Sequence, residues 1–230
     1  MIIIPSIDIH NGKIVRSRKS DFKSIVFYEK PILEQVNIYN DLGFEWVQVV
    51  DLQGSKTGKI SIKNILKEIK NTTKLKIQFG GGVRDSESFK ELLEIGIDKI
   101  IIGSLAIKEK KEFEKIVISQ GPEKIVVAFD IVKDFIAVTG WTEHSHIEYN
   151  EHLDYCSSRG LETFLITDIS KELNVKFFSE IKSKYPHLNF IVAGGIKNIS
   201  TVEKLNELNL FGVIVGKAIY ENKIDLNELV

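Results

Sequence analysis

Gly80-Gly81-Gly82-Val83 ends a β-rich run over 75–80, and Ala193-Gly194-Gly195-Ile196 ends another over 189–194. Outward from these stretches, three more pairs follow in the same order. Ile7-Asp8-Ile9 answers to Phe129-Asp130-Ile131, Val50-Asp51-Leu52 to Thr167-Asp168-Ile169, and Ile102-Gly103-Ser104 to Val215-Gly216-Lys217. From Asp8, Asp51, Gly81 and Gly103 to Asp130, Asp168, Gly194 and Gly216 the offsets are 122, 117, 113 and 113 residues. Four matches in one order at nearly constant spacing predict a molecule of two like halves.

The rest of the chain fits that frame. Strand-like runs fall at 2–8, 46–51, 75–80, 99–103, 125–130, 163–168, 189–194 and 212–216, with amphipathic helical stretches between them. Helix signals punctuate those stretches: Pro31 stands ahead of Ile32, Val36 and Tyr39 with Gly43 beyond, and Ser86 stands ahead of Phe89, Leu92 and Leu93 with Gly96 beyond. Strands apolar on both faces and alternating with helices require a parallel sheet covered by helices. Eight such units of about 29 residues use the whole chain, as a (β/α)8 barrel does. The rival, a doubly wound dinucleotide fold, would need G-x-G-x-x-G after the first strand, where this chain reads Asp8-Ile9-His10-Asn11-Gly12. The expectation is one α/β domain over 1–230, a (β/α)8 TIM barrel with half-barrel pseudo-symmetry.

Composition narrows the function classes. With 31 Lys and Arg against 32 Asp and Glu, the net charge of −1 gives no basic surplus for nucleic acid. No apolar run reaches the ~18 residues of a membrane span, and the N-terminus shows no basic export signal. Cys156 is the lone cysteine, so no internal disulfide forms, and a small buried hydrophobe in a reducing cytoplasm is expected. His10, His144, His146, His152 and His187 form no spaced ligand set, and His144 and His146 read as loop residues, so no metal and no cofactor are expected. The expected form is a monomer acting on a small molecule.

Every repeated residue lies at the carboxyl end of a strand, the rim that carries the active site in such a barrel. The glycines there allow backbone N–H groups to approach an anion, and each half thereby offers a phosphate cradle. One comprises Gly81, Gly82, Gly103 and Ser104 with Arg84 as a guanidinium, the other Gly194, Gly195, Gly216 and Lys217. Two cradles on opposite sides of one mouth suit an elongated substrate with a phosphate at each end. Asp8 and Asp130, between them, are equipped for proton abstraction and donation. Asp51 and Asp168 read as structural, Thr167 as a residue that orients a substrate hydroxyl, and Trp141 as a stacking lid on the segment after strand five.

As an ensemble these residues resemble the phosphoribosylformimino-5-aminoimidazole carboxamide ribotide isomerase family of histidine biosynthesis. The resemblance covers essentially the whole chain. It rests on Ile4-Pro5-Ser6-Ile7-Asp8-Ile9, Gly12-Lys13-Ile14-Val15-Arg16, Val49-Val50-Asp51-Leu52-Gln53-Gly54, 80–84, Gly103-Ser104, Phe129-Asp130, Gly140-Trp141, Thr167-Asp168-Ile169-Ser170, Ala193-Gly194-Gly195 and Val215-Gly216-Lys217-Ala218. The related cyclase subunit of imidazole glycerol phosphate synthase carries Cys-Leu-Asp where this chain has Ser6-Ile7-Asp8, and lacks Gly-Trp after strand five. The resemblance implies an Amadori rearrangement of an aminoaldose to an aminoketose by cofactor-independent acid and base catalysis. It also implies Asp8 as proton acceptor, Asp130 as proton donor, and Arg16 and Trp141 in contact with substrate.

Two departures stand out. Gln48 replaces a histidine of many members. Most members continue after strand six as Asp-Ile-x-Arg-Asp-Gly-Thr, whereas this chain reads Asp168-Ile169-Ser170-Lys171-Glu172-Leu173-Asn174. The general acid is therefore Asp130 or Glu172. A diverged barrel that binds a bis-phosphorylated sugar, or serves as an accessory subunit without turnover, is the alternative.

Overall fold

A computed structural model describes residues 1–17, 25–132, 135–138, 143–169 and 173–230. Eight parallel strands, β1 (Ile2–His10), β2 (Trp46–Asp51), β3 (Lys76–Gly80), β4 (Lys99–Ile102), β5 (Ile125–Val132), β6 (Thr163–Asp168), β7 (Asn189–Ala193) and β8 (Gly212–Val215), pair in sequence order. β8 returns to β1 and closes the barrel. The expected strands agree with these bounds to within one or two residues. Helices of eight to eleven residues cover seven of the crossovers, from Ile32–Asp41 to Ile199–Asn206. The anticipated punctuation holds: Pro31 precedes the first helix, and Gly96 ends Ser86–Ile95 in the left-handed region at φ 92°. Asp85, Asn174 and Asn198 cap their helices by accepting backbone N–H bonds.

Strand periodicity sorts the side chains. Ile4, Val126, Leu165, Ile191, Ala193 and Ile214 fill the barrel interior, with Ile2, Trp46, Ile101 and Ala128 packed against them. Their sequence neighbours Ile7, Val47, Val49, Val127, Phe129, Ile166 and Val213 face the helices. Because successive residues alternate sides, Asp8 follows Ile2, Ile4 and Ser6 into the barrel, Asp130 follows Val126 and Ala128, and Thr167 follows Leu165. Asp51 and Asp168 take the opposite face. The symmetry extends to additions at the rim. β1 turns back at Asn11-Gly12, with φ of 50° and 71°, into an antiparallel strand Lys13–Ser17. β5 turns back into Phe135–Val138, which pairs in turn with Glu143–Glu148. His144 and His146 therefore belong to a strand and not to a loop, a correction of the sequence reading. Asp8 pairs with Val15, and Asp130 with Ala137, so each acid is a rung of a rim hairpin.

The outward aspartates fasten the rim. Asp51 is fully buried and accepts bonds from Gly54 N at 2.7 Å, Ser61 N at 2.6 Å and Ser61 Oγ at 2.8 Å. Asp168, 4% exposed, accepts from Asn174 N at 2.8 Å. The glycines of the next strands close over them. A Cβ on Gly81 would stand 2.3 Å from the carbonyl oxygen of Asp51, and one on Gly194 2.5 Å from that of Asp168, at φ of 120° and 83°. Gly81→Ala and Gly194→Ala are therefore expected to lower stability by more than about 2 kcal/mol, since strain at positive φ adds to overpacking. Urea unfolding measures this, and parental stability in both variants would show that the fastening is no constraint.

Candidate active site

A cavity of about 500 Å³ opens at the carboxyl ends of β1, β6, β7 and β8. It brings together Asp8, Arg16, Thr167, Gly194, Gly195, Gly216 and Lys217 of the expected residues. A larger groove of about 930 Å³ lies on the outside, between the first helix and the C-terminal segment, and holds none of them. Asp130 is not among the described residues lining the cavity. It is the register partner of Thr167, one strand away, on a strand diametrically opposite β1 in the ring of eight.

Asp8 sits in a half-buried position on the cavity floor. Loss of hydration raises its carboxyl from the ordinary 3.8 to about 6, while a bond accepted from Ser6 Oγ, at 3.5 Å, pulls the other way. A base that ionises near 6 is largely charged at neutral pH and still binds a proton readily, as acid and base catalysis demands. Tyr220 closes the side of the site. It stacks on Tyr28 with centroids 4.8 Å apart and donates to the carbonyl of Ser6 at 3.2 Å. Burial holds its hydroxyl protonated, well above the usual range.

Arg16 is ion-paired with Glu221, which also meets Lys223 at 2.8 Å and Lys217 at 3.7 Å. One carboxylate thus ties Arg16 and Lys217 together at the C-terminal cradle. Across the mouth, Arg84 assembles the other cradle by donating to Ser104 Oγ at 3.4 Å and to the Ser55 carbonyl at 3.1 Å. Gly82 abuts the turn at Lys59 and Ile60. Gly103 and Gly216 adopt matching backbones, with φ and ψ of −104° and −103°, and −120° and −86°. Each opens a short helix. β3 and β4 lie four places round the ring from β7 and β8, so the two cradles oppose each other.

Trp141 and Glu172 lie outside the described residues. Among described residues no group of three or more His, Cys, Asp and Glu could hold a metal, and no helix is long and apolar enough to cross a membrane. Cys156 is buried beside His152 Nε2 at 3.8 Å, its thiol pushed up to about 12 by burial. Ser6, Gln78, Tyr220 and Glu221 were not anticipated as parts of the site. Ser6 and Gln78 carried a signal, being polar residues at interior positions of strands. Glu221 carried none, because only folding sets it beside Arg16.

Fold and rim together define a (β/α)8-barrel enzyme of two like halves with an acid from each. The model of the histidine biosynthesis protein family matches residues 2–225, and the chain belongs to that family. It is 40% identical to 1-(5-phosphoribosyl)-5-((5-phosphoribosylamino)methylideneamino) imidazole-4-carboxamide isomerase of Francisella philomiragia, over 99% of this chain and 98% of that one. Proteins of the same name from Lactococcus lactis subsp. lactis and Clostridium acetobutylicum are 37% and 38% identical, over 99% and 100% of this chain and 98% of each of theirs. These relatives are named as isomerases and not as binding subunits.

Proposed function

We propose that this chain isomerises the same aminoaldose ribotide to its aminoketose, with a phosphate in each cradle. The observation that carries the reading is the placement of Asp8 and Asp130 on the interior face of opposed strands, between two opposed glycine-bearing rims. In the reaction an acid protonates the ribose ring oxygen and the ring opens to an imine. A base then removes the proton from C2, and the resulting enaminol takes a proton at C1 while its C2 hydroxyl gives one up, which leaves the ketone. C2 is oxidised and C1 reduced within one molecule, so no external oxidant or reductant enters the balance. Asp8 is assigned the C2 proton and Asp130 the ring oxygen. Thr167 orients a hydroxyl, Arg16, Arg84 and Lys217 supply positive charge, and Trp141 stacks on the planar ring. The chain acts as one domain, as a monomer in the cytoplasm.

Turnover of the aminoaldose in D2O is the test. Product carrying one deuterium at C1 is expected, and substrate recovered unchanged from active-site-saturating protein would refute the reading. The cradles have a separate test. A Cβ on Gly103 meets only Ala128 O at 3.5 Å, and one on Gly216 meets Ser6 Cβ at 3.4 Å, so Gly103→Val and Gly216→Ala are expected to fold and to crowd the anion. Losing one charge-assisted bond raises KM about tenfold or more. Unchanged KM in both variants would make these glycines ordinary turn residues.

A further inference from the structure

The two halves differ directly beneath their acids. Ser6, Gln48 and Gln78 occupy adjacent rungs on β1, β2 and β3, with Ser6 in register with Gln48 and Gln48 with Gln78. All three are at least nine-tenths buried. Gln78 Nε2 donates to Gln48 Oε1 at 2.7 Å, Gln48 Nε2 donates to Ser6 Oγ at 3.4 Å, and Ser6 Oγ donates to Asp8 Oδ1 at 3.5 Å. Gln78 starts the chain, and Gln48 and Ser6 each accept from one neighbour and give to the next, so the chain of donors runs one way and ends on the carboxylate. In the other half the same rungs on β5, β6 and β7 carry Ala128, Leu165 and Ile191, in the same register and wholly apolar.

Buried polar side chains are costly unless satisfied, and an apolar layer here is shown to be compatible with the fold by the second half itself. Hydrogen bonds that end on a charged acceptor favour its charged form. We propose that Gln78, Gln48 and Ser6 form a one-way donor relay that holds Asp8 ionised and aimed. The three are positioning residues acting through Asp8. The kinetic readout below rests on the isomerase reading, but the relay itself does not.

The charged and titratable groups that line the cavity with Asp8 are Arg16 from the Lys13–Ser17 strand, Asp168 at the end of β6, Lys197 beyond β7, and Lys217 and Tyr220 beyond β8, and Asp130 faces it from β5. β2 and β3 face it with the two glutamines. Exchanging relay residues for their counterparts, as Ser6→Ala, Gln48→Leu and Gln78→Ile, leaves all those charges in place. The experiment is a 13C carboxyl NMR titration of aspartate-labelled protein without substrate, with the Asp8 signal identified by its loss in Asp8→Asn. The Asp8 midpoint is expected to rise by about one pH unit in Ser6→Ala, as loss of a hydrogen bond to a charged group implies. Smaller rises are expected in Gln48→Leu and Gln78→Ile, and the acid limb of kcat/KM should move with each. A merely structural role would lower thermal stability and leave the midpoint where it was. An unmoved midpoint in folded Ser6→Ala and Gln48→Leu overturns the relay. Should Gln78→Ile fail to fold, Gln78→Met removes the donor with less change of shape. Absence of turnover in the unmodified protein would remove the isomerase reading alone, because the titration judges the relay without substrate.

Discussion

Asp8→Asn is expected to lose about 10²- to 10⁴-fold in kcat, the usual contribution of a positioned proton-transfer group, while substrate affinity stays near normal because the cradles provide most of the binding. The same change is expected to make the protein more stable. The carboxyl ionises near 3.8 in the unfolded chain and near 6 in the folded one. The folded form thus holds the proton more tightly, and the stability this contributes is present at acid pH and is lost as pH rises from about 4 to about 6. At neutral pH the charged carboxylate is a burden on the fold, and its removal should return on the order of 1–3 kcal/mol. Denaturant unfolding of both proteins at acid and at neutral pH measures the effect, which should be confined to the neutral measurement. A variant that keeps turnover, or is less stable at neutral pH, contradicts the placement of this base.

Asp130→Asn carries the second large expectation, a comparable loss of kcat with KM little changed, since a ring oxygen left unprotonated is a poor leaving group. Its companion is Glu172→Gln. If Asp130 is the acid, Glu172→Gln retains most of its turnover. Near-parental activity in Asp130→Asn together with collapse in Glu172→Gln would move the acid role onto the segment after β6. Pre-steady-state kinetics sharpens the distinction. Loss of the acid slows ring opening, whereas loss of Asp8 slows proton removal and shows a deuterium isotope effect at C2.

Much of this was legible in the sequence because the barrel repeats itself. The four paired strand ends gave both the closed ring and the opposition of Asp8 to Asp130. Strand parity could have gone further. Asp51 shares a face with Val47 and Val49, and Asp168 with Phe164 and Ile166, so both point to the helices, while Asp8 and Asp130 point inward. The rim hairpin on β1 was also written in plain view, since Asn11-Gly12 between Ile9 and Ile14 is a strong two-residue turn signal. The contrast between Ser6, Gln48 and Gln78 and their counterparts Ala128, Leu165 and Ile191 was harder to see. The offset between halves drifts along the chain, and only the observed register aligns the two sets rung by rung. The grip of Glu221 on Arg16 joins residues 205 positions apart and had no local trace.

The rim hairpins have a pharmacological consequence. Asp8 and Val15, and likewise Asp130 and Ala137, are rungs of the same ladders. A macrocycle or antibody fragment that peels either outer strand away from the barrel must drag the backbone of an acid with it. Such a molecule would silence the enzyme from outside, without resembling the substrate and without competing against two phosphates for the cavity. Substrate would still weaken its grip, because the Lys13–Ser17 strand carries Arg16 into the cavity and coupling between two sites is reciprocal.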